Sequence, residues 1–210
     1  EGLPLKIDNV SKTNPEMTHQ TWTNGCVTPF WGKPPIGFAE GKCLGGTTVI
    51  NGGLLWRTPD KILDLWVNEF GLKGFSKKEL NPYFDKIESN LNVGFHNFKN
   101  GNKDSEILEK GCNILGWKHV PVPRSGGSMC VNSNYCPTGC ISGAKQSTAL
   151  TYIPRATDAG AVIFTGCKIK KIKVINENLI SLSGELPSIN DKIINLECKN
   201  LFLAAGAVQT

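Results

Sequence analysis

The stretch Gly41-Lys42-Cys43-Leu44-Gly45-Gly46-Thr47-Thr48-Val49-Ile50-Asn51-Gly52-Gly53 decides how this chain is read. Adjacent glycines let backbone N–H groups come close to an anion or a flat ring, because no Cβ stands in the way. Thr47 and Thr48 add hydroxyls, and Asn51 adds a carboxamide. Such a segment can cradle a pyrophosphate or line one edge of a cofactor ring. By composition alone, a glycine-rich turn that caps a helix fits equally well. It is not a P-loop, since Lys42 precedes the glycine pair instead of following it beside Ser or Thr. Nor does it carry G-x-G-x-x-G after a strand.

Around this stretch the periodicity changes from one segment to the next. Residues 1–40 are rich in Pro, Gly, Thr and Asn and read as an extended segment draped over another surface, with Trp22, Phe30, Trp31 and Phe38 needing partners. Residues 58–70 predict a helix: Pro59 suits its start, Ile62, Leu65, Trp66 and Phe70 share a face, and Gly71 stops it. Ser76-Lys77-Lys78-Glu79 is a capping box, opening a second helix through Leu80, Tyr83, Phe84, Ile87 and Leu91. A third is expected over 104–115, ending at Gly116. From residue 161 the period becomes two. Strands are expected at 161–165, around Ile169, Ile172 and Val174, at 179–183 and at 192–196, with 200–206 a buried strand ending in small residues. The fold class is α/β overall and α+β within this stretch.

Composition narrows the function. Glycine supplies 23 of 210 residues, above the usual level of about 7%. The formal charge of +5 is spread along the chain without aromatic interleaving, which argues against nucleic acid and is compatible with a buried anionic ligand. No apolar run approaches the roughly 18 residues that span a bilayer. Neither an initiator Met nor a signal pattern opens the chain, both ends look cut, and a cytoplasmic location with the eight cysteines as reduced thiols is favoured. Cys130, Cys136 and Cys140 are spaced C-x5-C-x3-C. Three thiolates could bind zinc or an iron–sulfur cluster with a fourth ligand from elsewhere, although the spacing matches neither the common zinc nor the ferredoxin patterns. The other reading is a set of buried or paired thiols bracing a loop, so a Cys-rich metal-binding or structural module without redox activity is the alternative function.

The glycine stretch resembles the first signature of the glucose–methanol–choline (GMC) flavin oxidoreductases. The likeness continues through Trp56-Arg57-Thr58-Pro59, Trp66 and Leu80-Asn81-Pro82-Tyr83-Phe84-Asp85-Lys86-Ile87-Glu88. Gly143-Ala144-Lys145-Gln146-Ser147-Thr148 and Thr151-Tyr152-Ile153-Pro154-Arg155-Ala156 are similar to the branch with long-chain-alcohol oxidases, which commonly carries cysteines ahead of the first of these. Leu203-Ala204-Ala205-Gly206-Ala207 resembles the strand-turn that returns to the FAD.

What the resemblance implies is a partial FAD-binding, Rossmann-like domain over 1–210 that lacks its first βαβ unit. Its parts would be the flavin signature (41–57), a helical part (58–116), a Cys/Gly loop and helix (126–156), and a β meander (160–210). Gly45, Gly46, Thr47 and Thr48 would lie along the FAD, with Asn51, Gly52 and Gly53 near the flavin ring. Ile169 would meet the adenine through its backbone, and Ala205 and Gly206 would lie by the ADP half. Some members carry a flavin-linked His where this chain has Ile50, so the FAD is expected to be non-covalent. The reaction implied is oxidation of a CH–OH group of a small-molecule alcohol, sterol or sugar by hydride transfer to flavin, with a possible separate electron acceptor. None of His19, His96 and His119 sits in a matching motif, and the catalytic His is expected beyond residue 210, in a chain of about 500 residues or more. The role of Lys145 stays open between pairing with a carboxylate and contacting the cofactor's charged half.

Overall fold

The computed structural model describes residues 2, 4–5, 14–95 and 103–208, so His96 falls outside it. The chain divides into two units, Pro4–Ala161 and a smaller one centred on Val162–Thr210.

In the larger unit, helices form where start signals meet an apolar face. α3 (Asp60–Asn68) follows Pro59 and buries Leu63, while Ile62 and Phe70 stay exposed. Its Trp66 packs edge-on against Phe75, ring centroids 5.9 Å apart. α4 (Lys77–Asn90) opens with the expected capping box: Ser76 Oγ accepts from Glu79 N–H, and Glu79 Oε2 accepts from Ser76 N–H at 3.1 Å. The Ser76 hydroxyl, which donates to Glu79 Oε2, and then the Ser76 N–H hold the Glu79 carboxyl below its ordinary value. Arg57 reaches Asp85 and Glu88 on α4, tying the end of the glycine segment to that helix. α5 (Lys103–Leu115) and α6 (Tyr152–Asp158) complete the longer helices. Two short antiparallel pairs accompany them: β1 (Thr28–Phe30) with β2 (Ile36–Phe38), and β3 (Val93–Phe95) with β4 (Pro123–Ser125).

The first forty residues hold more structure than their composition suggests. α1 (Asn14–Thr21) is a helix whose Met17 is fully buried and whose Thr21 hydroxyl reaches the Met17 and Thr138 carbonyls. Trp22 Nε1 donates to the Pro137 carbonyl at 2.7 Å. Phe30 and Phe38 satisfy each other across the β1–β2 hairpin, at 5.1 Å between centroids. Trp31 is 88% exposed.

The smaller unit is an antiparallel meander of β5 (Lys168–Asn176), β6 (Leu179–Leu186) and β7 (Lys192–Cys198), with β6 central. Ile169 pairs with Gly184, and a register shift between Ile169 and Lys171 breaks the strict alternation of β5. The β5 lysines are exposed, and Lys170 meets Glu185 at 3.0 Å.

Two expected strands are absent. Residues 161–165 and 200–206 have no ladder, and Phe202 is 91% exposed. A run that is apolar on both faces becomes a strand only between neighbours that pair with it and cover it. Among the described residues none pairs with either run. For the same reason the Rossmann-like sheet expected from the resemblance has no counterpart here: every strand pair among the described residues is antiparallel. The architecture is mixed helix and strand, of α+β character.

Candidate functional site

The glycine segment is built around α2 (Thr47–Ile50). Its inner side chains Val49 and Ile50 join Cys43 in a small core, against which Leu5, Trp22 and Ala149 pack. Burying that face turns Thr47 and Asn51, four residues apart, outward to the surface. Thr47 Oγ1 accepts from Gly41 N–H at 3.2 Å, closing the loop before the helix.

Thr48 joins this segment to another of the sequence motifs. Its hydroxyl lies 2.6 Å from the Gly45 carbonyl and 2.9 Å from Thr148 Oγ1, and accepts from Thr148 N–H at 3.1 Å. Residues 45–48 and 147–149 are therefore packed directly together. Gly45 has φ +92°, and a Cβ built on it would stand 2.9 Å from the Ala149 Cβ. A side chain there meets both strain and a clash.

Lys145 fastens the other end. Only 6% exposed, it donates to the carbonyls of Val49 at 2.6 Å, Asn51 at 2.5 Å and Cys136 at 2.7 Å. All three ammonium hydrogens are used, every acceptor is a backbone carbonyl, and these three bonds involve no carboxylate. Burial pulls its pKa down to about 8, partly offset by the nearby thiols of Cys136, Cys140 and Cys43. Below that pH it is a buried cation. Its stem runs along Gly53, where a Cβ would come within 3.0 Å of Lys145 Cδ at φ +71°. Asn51 Oδ1 accepts from Gly53 N–H at 3.0 Å, and Gly53 O accepts from Ser125 N–H at 2.9 Å, stitching the segment to β4.

Of the expected site residues, Gly45, Gly46, Thr47, Thr48, Asn51, Gly52 and Gly53 thus share one braced loop. Gly45 and Gly53 are required by internal packing. Gly52 differs: it is exposed, and a Cβ there would meet only Leu54 Cγ at 3.7 Å. Ile169, Ala205 and Gly206 belong to the smaller unit, all exposed. His19 is exposed on α1, and His119 lies 3.6 Å from Glu109. The carbonyl clamp of Lys145 was not legible in the sequence, since backbone acceptors leave no mark in a residue pattern.

Behind Gly52 and Gly53 lies a cavity of about 30 Å³, lined also by Arg124, Lys145, Cys130, Cys136 and Cys140. All eight cysteines are free thiols. Among the described residues, no group of three or more His, Cys, Asp or Glu side chains is arranged to hold a metal ion. No helix among them is long and apolar enough to cross a membrane.

The chain belongs to the GMC oxidoreductase family, whose model matches residues 19–210. It is 30% identical over 212 residues to the uncharacterized GMC-type oxidoreductase y4nJ of Sinorhizobium fredii, covering all of this chain and 42% of that protein. It is 28% identical over 211 residues to the uncharacterized GMC-type oxidoreductase Rv0492c of Mycobacterium tuberculosis, covering 33% of that protein. To the long-chain-alcohol oxidase FAO4B of Arabidopsis thaliana it is 30% identical over 165 residues, covering 77% of this chain and 21% of that protein. The chain spans less than half the length of these relatives.

Proposed function

We propose that this chain is the flavin-holding part of an FAD-dependent oxidoreductase that oxidises a CH–OH group. Besides family membership, one observation carries the reading: Lys145 pins the Val49 and Asn51 carbonyls, while Asn51 and Gly52 remain at the surface, where a Cβ built on Gly52 would meet nothing nearer than Leu54 Cγ at 3.7 Å. A rigid backbone edge without an intervening Cβ suits a flat ring. The cavity of about 30 Å³ beside it is too small to enclose one, so the ring would lie along this exposed edge.

FAD, when bound, supplies the hydride acceptor for the carbinol carbon. The chain's residues bind and orient. Gly45, Gly46, Thr47 and Thr48 would hold the FAD along its length and Asn51, Gly52 and Gly53 would flank the ring; by the family resemblance, Ile169 would meet the adenine and Ala205 and Gly206 would border the ADP half. Ile50, 5% exposed and without a nucleophile, leaves the FAD non-covalent by this route. A histidine outside these residues accepts the hydroxyl proton. The names of the Arabidopsis relatives favour a long-chain alcohol, ahead of a sterol or a sugar, as substrate. The electron acceptor would be oxygen, a quinone or a cytochrome.

Acid denaturation of the purified full-length protein tests the binding claim. The expected result is one FAD per chain in the supernatant. A flavin-free protein would refute the cofactor assignment, and flavin remaining on the precipitate would refute non-covalent binding.

A further inference from the structure

Cys130, Cys136 and Cys140 line the cavity behind Gly53, together with Arg124 and Lys145. Its volume of about 30 Å³ exceeds the roughly 10–15 Å³ that one water needs, and suits a molecule the size of hydrogen peroxide. Cys140 Sγ accepts from Lys145 N–H at 3.4 Å and lies 3.3 Å from Ser142 Oγ. Burial pushes this thiol up, but the bonds from Lys145, Ser142 and Ala144 outweigh it and hold Cys140 below the ordinary thiol value. A thiolate so held is the reactive form.

Of the two other cysteines lining the cavity, Cys136 is the nearer in sequence to Cys140. Only Pro137, Thr138 and Gly139 separate the two, and both thiols act on the same Lys145 ammonium, which also holds the Cys136 carbonyl at 2.7 Å. Cys43, the third thiol near that ammonium, is buried in the core.

We propose that Cys140 and Cys136 form a peroxide-sensitive pair that closes to a disulfide in this cavity. The Cys140 thiolate attacks one oxygen of hydrogen peroxide, the O–O bond breaks, and the departing hydroxide takes a proton to leave as water. The Cys140 sulfenic acid is then attacked by Cys136, which loses its proton as the S–S bond forms and a second water departs. Two thiols and one peroxide become one disulfide and two waters. The assignment stands independently of the flavin reading.

The test is cysteine mapping on the full-length protein. Before oxidation, iodoacetamide should modify Cys140 roughly tenfold faster than Cys130. After hydrogen peroxide, alkylation and trypsin, the 125–145 peptide should carry label on Cys130 alone and be otherwise two hydrogens lighter. Cys140→Ser should abolish the bridge, and Cys136→Ser should halt at a sulfenic acid trapped by dimedone. The proposal is overturned if all three thiols remain alkylatable after peroxide, if the bridge runs to Cys130, or if the protein as purified holds stoichiometric zinc or iron on these cysteines.

Discussion

Replacing Lys145 with Met removes the clamp on the glycine segment while keeping a long, apolar stem. The carbonyls of Val49, Asn51 and Cys136 then lose their donor. A buried polar group left unpaired costs about 1–3 kcal/mol, so three cost about 3–9 kcal/mol, toward the lower end because two are partly exposed. In the other direction, the variant no longer buries a charge. The drop from 10.5 to about 8 in Lys145 is worth about 3 kcal/mol at 1.36 kcal/mol per pH unit. Taking about 5 kcal/mol for the three acceptors, acceptor loss wins and a net destabilisation of about 2 kcal/mol is expected. The pH dependence carries a second signature. Because the folded value lies below the unfolded one, the unfolded chain binds more protons between about pH 8 and 10.5. This lysine's contribution to stability therefore rises with pH across that window, and the penalty of the buried charge is fully present below it. Urea unfolding followed by tryptophan fluorescence, at pH steps from neutral to alkaline, reads both effects. A variant as stable as the parent at neutral pH, or one that keeps the same alkaline rise, would refute the clamp.

Five further substitutions probe the same framework. Gly45→Ala places a Cβ 2.9 Å from Ala149 at φ +92° and should cost about 3 kcal/mol in denaturant unfolding. Gly116→Ala, at φ +66° with nothing within 4 Å, should cost only about 1 kcal/mol, and equal losses would contradict the packing argument. Thr48→Val and Thr148→Val should couple by about 1 kcal/mol in a double-mutant cycle, and strict additivity would show that the 2.9 Å contact carries no energy. Ser76→Ala should cost about 1 kcal/mol of helix stability and let the Glu79 carboxyl rise toward its ordinary value in an NMR titration.

The helices and the meander could be read from the sequence because their signals are local. Ser76 and Glu79 lie three residues apart, and the spacing of Leu80, Phe84 and Ile87 is contained within one helix. α1 escaped because its polar stretch buries Met17 and Thr21 against the distant Thr138 turn. The runs at 161–165 and 200–206 looked like strands because apolar content marks a wish for neighbours without supplying them. The site follows the same division. Residues 41–53 stood out by their glycines, yet packing requires Gly45 because of Ala149 and Gly53 because of Lys145, residues about a hundred positions away. The exposed backbone at Gly52 is what remains once those demands are met.

The most direct test of function is anaerobic mixing of the flavin-loaded full-length protein with a long-chain primary alcohol, followed by absorbance. The expected result is loss of the oxidised-flavin band in step with aldehyde formation, and its return on admitting an electron acceptor. A flavin band that stays unchanged with long-chain alcohols, sterols and sugars alike would contradict the assignment.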